Sequence, residues 1–205
     1  MPEESKKVPK KNNNFIIFTV IFLVAIVFFN LFIYRNMRTS YDIIEQDINY
    51  SILADGDVIL YTTVLIAAEN EKSFNSLMEG FKTPDHEKRI KYQELLDDIS
   101  KKSNKTLSVI DFQSTVEYEG FNITVYEDVI VSGFVTFENN NNSAIFSLED
   151  QQIQVDSKTK FNVIYPSGWV LLNVSPNPNK IDKNKLTWSG IGNMPFPQAY
   201  FETDY

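Results

Sequence analysis

IIEQDINYSILADGDVILYTTVLIAA, residues 43–68, decides the fold class of this chain. Ile44, Ile48, Tyr50 and Ile52 share one parity, while Glu45, Asp47, Asn49 and Ser51 fall on the other. Successive side chains on a strand point to opposite faces, so this two-residue apolar period marks a strand with one face in a core. Ala54, Asp55, Gly56 and Asp57 supply turn residues, and the run from Val58 to Ala68 returns as a second, more apolar strand. Asp-Gly between two such runs predicts a tight β-hairpin. Asp55 and Asp57 also suit the start of a calcium loop, but the further spaced oxygens and closing Glu are missing, which leaves the turn.

Beyond Ala68 the period changes. Phe74, Leu77, Met78 and Phe81 lie at i, i+3, i+4 and i+7, which predicts an amphipathic helix from near Asn70 to Gly80. Thr83 as N-cap and Pro84 at the first helical position open a second helix with the stripe Tyr92, Leu95, Leu96 and Ile99. Strand patterns resume over residues 107–118 and turn at Glu119 and Gly120. A long run over 121–138 follows, with Phe121, Ile123, Val125, Val129, Val131, Val135 and Phe137 in phase. Gly133 inside it predicts a bulge or bend. Shorter strands are expected at 144–148, 152–155, 161–165 and 169–174. A hairpin, two inserted helices and then sequential strands make an α+β domain with a mostly antiparallel sheet.

Upstream, the run from Phe15 to Tyr34, FIIFTVIFLVAIVFFNLFIY, carries no charge, and 16 of its 20 residues are Phe, Ile, Val or Leu. As a helix it would span ~30 Å, the thickness of a bilayer's hydrocarbon core. It reads as a transmembrane signal anchor in contact with the lipid bilayer. No small-x-small cleavage site follows it, so removal as a signal peptide is not expected. Lys6, Lys7, Lys10 and Lys11 precede the run and only Arg35 and Arg38 follow it, which puts the N-terminus in the cytoplasm. Three segments result: a disordered cytoplasmic tail at 1–14, an anchor at 15–34, and an extracytoplasmic domain at 39–205.

The outer part has 13 basic and 25 acidic residues, a balance that repels phosphate backbones and argues against nucleic acid as a partner. Without cysteine, thiol chemistry and disulfides are excluded and stability must come from core burial. The single histidine, His86, falls in what reads as an exposed first helical turn, a poor place for a catalytic base. HExxH, a Walker loop, GxGxxG and an EF-hand loop are absent, so no metal or cofactor is expected. Five sequons, at Asn49, Asn104, Asn122, Asn141 and Asn173, are candidate glycosylation acceptors. Both tryptophans, Trp169 and Trp188, are read as core or strand-edge packing, with a sugar-stacking surface as the competing use.

The C-terminal third gathers five of the eight prolines: Pro166, Pro176, Pro178, Pro195 and Pro197. Proline fixes φ and removes a donor, so this region is expected to hold strand ends and covering loops rather than central strands. Its short motifs are Tyr165-Pro166-Ser167-Gly168-Trp169, Ser175-Pro176-Asn177-Pro178, Leu186-Thr187-Trp188-Ser189-Gly190 and Met194-Pro195-Phe196-Pro197. With the early Asp-Gly hairpin and charged helical insertion, they resemble an uncharacterised family of archaeal single-pass membrane proteins with an extracytoplasmic domain of unknown function. The resemblance implies an anchored surface domain and transfers no functional residue.

The leading reading is therefore a non-enzymatic structural or recognition module at the cell envelope, with an envelope protein or a glycan as partner. A pilin-like subunit would need a small residue ahead of the apolar run, and Lys10-Lys11-Asn12-Asn13-Asn14-Phe15 offers none. A carboxylate-based hydrolase could draw on Glu127-Asp128 or Asp97-Asp98. Neighbouring acids point to opposite faces of a strand and lie apart on a helix, so these doublets read as solvated faces.

Overall fold

The computed structural model describes residues 40–103 and 105–203. The tail, the apolar run from Phe15 to Tyr34 and Asn104 lie outside the described residues, and among those residues no helix is long and apolar enough to cross a membrane.

The hairpin forms as the alternation requires: β1 (Tyr41–Ile52) pairs antiparallel with β2 (Val58–Ala68). The five residues between them close through Leu53 N–H to Asp57 O and Gly56 N–H to Leu53 O, and Asp55 accepts from the Asp57 amide. One parity assignment is corrected. Ile44 is exposed, because the register passes from Ile43 opposite Ile66 straight to Glu45 opposite Leu65. That β-bulge makes Ile44 the extra residue and shifts the phase, so Gln46, Ile48, Tyr50 and Ile52 are the ones that face the core.

Helix α1 (Glu71–Phe81) starts as expected, with the Asn70 side chain accepting from Ser73 N–H. Gly80 lies inside it and Lys82 is the C-cap. Thr83 is not the N-cap of α2 (Asp85–Ser103): its hydroxyl donates back to Gly80 O, and Pro84 O accepts the first amides of the new helix. Next come β3 (Ser108–Glu119) and β4 (Asn122–Ser132). The long run over 121–138 is two strands, because Gly133 at φ +96° bends the chain into β5 (Val135–Glu138). The remaining strands are β6 (Ser143–Phe146), β7 (Gln152–Val155), β8 (Thr159–Ile164), β9 (Val170–Ser175), β10 (Lys180–Asp182), β11 (Lys185–Ser189), β12 (Gly192–Pro195) and β13 (Gln198–Glu202).

A seven-stranded sheet in the order β10-β11-β8-β1-β2-β4-β3 forms the frame, antiparallel except where β1 runs parallel to β8. A four-stranded sheet, β5-β6-β13-β9, and the pair β12-β7 complete the strands. The fold is α+β and mostly antiparallel. The proline-rich third corrects the expectation of covering loops, since β11 lies between β10 and β8, and β13 between β6 and β9. The prolines fall between or at the ends of these strands, where no ladder donor is lost.

One face of the seven-stranded sheet is covered. Tyr50 is its hub, with ring centroids 5.1–5.8 Å from Phe134, Phe146, Phe161 and Phe196. Helix α2 lays Tyr92, Leu96 and Ile99 against this cluster, while α1 sets Leu77 on a second, smaller cluster of Val64, Ile66, Ile123 and Val125. The opposite face carries polar and half-exposed residues, the two-sided pattern open to an antiparallel sheet.

Candidate functional site

Between the two apolar clusters runs a row of buried polar side chains. Thr62 on β2 stands opposite Glu127 on β4, and Glu127 stands opposite Ser114 on β3. Gln46 follows one pair along on β1, opposite Val64 and Thr159. Lys88 of α2 closes the row from above. Its ammonium donates to Ser114 Oγ at 2.5 Å and pairs with Asp85 Oδ1 at 3.4 Å. The Lys88 side chain is 4% exposed, against 44% for Asp85, so solvent meets the charge chain at Asp85.

Glu127 is buried and neither of its carboxyl oxygens has a hydrogen-bond partner; the same holds for Gln46 Nε2, Thr62 Oγ1 and the Tyr92 hydroxyl. Burial pushes the Glu127 carboxyl well above the ordinary carboxylate range, with Lys88 opposing the shift and Asp85 adding to it. Burial also raises the Tyr92 hydroxyl, with smaller pushes from Tyr50 and Glu127. Burial in this row favours the protonated form of the Glu127 carboxyl.

Sequence reasoning missed both ends of this row. Glu127 shares the phase of Val125 and Val129, and Lys88 stands four residues before Tyr92 on the apolar stripe of α2. Each is a charged residue at a core position, and that mismatch was the available signal. The reading of Glu127-Asp128 as a solvated doublet is corrected: Asp128 is exposed, but Glu127 points inward. Asp97 and Asp98 are exposed on α2, as is His86 in its first turn.

A consequence for stability follows from the raised carboxyl. Folded Glu127 keeps a proton that the unfolded chain releases above about pH 4.3. The folded state then binds more protons, so stability falls as pH rises from there toward the folded value, by up to ~1.4 kcal/mol per pH unit. Glu127→Gln should remove this slope and be the more stable protein at pH 8. Urea midpoints of both proteins from pH 4 to 8 check it; parallel curves would mean that Glu127 is ionised in the fold.

The other sequence-marked residues sit elsewhere. Trp169 and Trp188 are buried, the core packing read for them, and neither offers the open ring face that sugar stacking needs. Trp169 packs edge-on to Phe137 and against Phe201. Trp188 meets Phe161, and its Nε1–H donates to Pro176 O at 3.1 Å. Of the sequons, Asn122, Asn141 and Asn173 are exposed, on β4, in the β5–β6 turn and on β9. Asn49 is half-buried on the outer face of β1, its amide donating to Asp47 Oδ1 at 3.2 Å and Tyr61 O at 3.4 Å. Among the described residues no three acids or histidines converge to hold a metal ion.

A cleft of about 530 Å³ opens between the β6–β7 and β12–β13 connections. Glu149, Asp150, Gln151, Gln152, Pro195 and Gln198 line it together with the buried Phe196. Acids and amides beside an aromatic ring suit hydrogen-bonded recognition of a polar ligand.

The boundaries of this domain, from the first residue of β1 to the last of β13, are those of a family model: residues 41–202 match DUF4897, a domain of unknown function. The chain belongs to the DUF4897 family. That agrees with the resemblance to an uncharacterised family, and the family carries no assigned activity. Among curated proteins none matches the sequence significantly. Of solved structures, the folded domain of Mycobacterium tuberculosis LppM is similar to the DUF4897 chain at a TM-score of 0.41 and 12% identity, over 83% of this chain and 96% of that one. An M1 zinc metallopeptidase from Deinococcus radiodurans is similar at a TM-score of 0.29 and 8% identity, over 80% of this chain and 42% of that one. Both likenesses are too slight to carry an argument about function.

Proposed function

We propose that this chain is a single-pass, membrane-anchored surface protein of archaeal type whose DUF4897 domain serves outside the membrane as a non-enzymatic recognition or structural module. The observation that carries the reading is a spacing. The uncharged run ends at Tyr34 and only six residues separate it from Tyr41, where the family domain opens, so a bilayer-length segment leads almost directly into β1. Four lysines before the run and two arginines after it favour the domain on the outer side. Its acidic surface suits solubility there.

The interior supports binding over catalysis. Glu127 and Asp128 face opposite sides of the sheet, so they do not pair across one substrate. His86 is exposed on α2, whereas Lys88 two residues on is buried beside Ser114. The open cleft lined by Phe196 and its neighbouring acids and amides has the donors and acceptors that a glycan or an envelope protein segment would use.

Alkaline carbonate washing of native membranes should leave the full-length chain in the pellet, and protease added to whole cells should digest the domain. Release by the wash, or digestion only after the cells are broken, would overturn the reading.

A further inference from the structure

Three parts of the domain meet where the chain enters it. Ser40 O accepts from Glu69 N–H at 3.2 Å, and Phe121 O accepts from Ala68 N–H at 2.9 Å. The entry into β1, the end of β2 before α1, and the β3–β4 turn therefore share one end of the long hairpins. At that turn Tyr118 is 63% exposed and Phe121 47%. Phe74 of α1 braces both, with ring centroids 5.4 Å and 6.0 Å away. Two large aromatics held outward at a turn, on a rigid hairpin, are not explained by the core.

The opposite end is marked by Gly56 in the β1–β2 turn, which lies against Phe137 of the four-stranded sheet. Eleven residues of β2 separate the two ends, ~36 Å of strand. Residues 35–39, between the apolar run and Ser40, can reach at most ~17 Å even fully extended. A tether this short keeps the entry end of the domain within ~17 Å of the apolar run whatever the domain's tilt. A tyrosine ring, apolar with one polar edge, settles at the headgroup level of membranes, and a phenyl ring beside it adds apolar area to the acyl boundary.

We propose that the β3–β4 turn is a membrane-contact element: Tyr118 and Phe121 rest in the headgroup–acyl boundary beside the anchor and fix the domain's tilt on the lipid surface. This rests on the anchored reading. The contact is apolar, because Glu117, Glu119 and Glu69 around it would be repelled by anionic lipid, so phosphatidylglycerol should not strengthen it.

The lack of cysteine makes a direct test clean. Full-length Glu119→Cys and, at the four-stranded sheet, Leu172→Cys are each nitroxide-labelled and reconstituted in dioleoylphosphatidylcholine vesicles. Collision rates with oxygen and with a water-soluble nickel chelate are then measured. The oxygen-to-nickel ratio at 119 should exceed that at 172 several-fold, and Tyr118→Ser with Phe121→Ser should return it to the value at 172. Equal ratios in protein that stays with the vesicles after carbonate washing would overturn the contact and leave the anchor standing. Release of the protein by the wash would overturn both.

Discussion

Gly133→Ala should lower the melting temperature of the protein by about 8–16 °C, corresponding to ~4 kcal/mol in a chain of this size. Gly133 sits at φ +96°, where a side chain is strained, and a Cβ there would lie 2.0 Å from Thr106 O and 3.3 Å from a Leu107 methyl. Neither neighbour can yield cheaply. Leu107 is buried and its amide donates to Ser100 Oγ, while Lys105 donates to Phe134 O at 2.7 Å. The chain leaving the two-helix insertion is fastened across the bend that turns β4 into β5. Gly120→Ala is the control: φ is +61°, but nothing lies within 4 Å of the added carbon, so only the left-handed cost of about 1 kcal/mol is expected. Thermal melts of the two variants separate strain from collision. Equal losses would mean that the Thr106 carbonyl moves aside freely.

Trp188→Ala should cost about 5 kcal/mol, or ~10–20 °C in melting temperature. Trp188 is fully buried on β11, packs edge-to-face on Phe161 at 5.8 Å, and satisfies the Pro176 carbonyl. Truncation leaves a cavity and an unpaired acceptor together. Trp188→Phe keeps much of the volume and loses the donor, so about 2 kcal/mol is expected. Circular dichroism melts of both variants check the order. A Trp188→Ala protein that melts within 2 °C of the parent would contradict the placement of β11 beside β8.

Periodicity exposed most of the architecture. The β1–β2 hairpin, the two inserted helices and the β3–β4 pairing all follow from spacings of two or of three and four, together with Asp55-Gly56, Asn70 and Glu119-Gly120 as punctuation. Local rules failed where one residue altered the phase. The bulge at Ile44 turned an apolar side chain outward, and the prolines around β10 to β13 hid strands that pair with segments read earlier in the chain. The candidate site was hidden for a related reason. A charge at a core position of β4 and another on α2 look like surface residues until the helix is laid over the sheet.

The amino-acid sequence by itself determined the α+β class, the exclusion of thiol chemistry, the acidic balance of residues 39–205, and the greasy run that precedes them, because each depends only on composition or on neighbours within a few positions. Tertiary structure alone decided that β11 lies inside the sheet between β10 and β8, that Glu127 is buried beneath Lys88, and that Tyr118 and Phe121 share an end with Ser40. Those outcomes depend on which face gets covered, and covering is done by elements far away along the chain: β8 beside β1 joins residues more than a hundred positions apart.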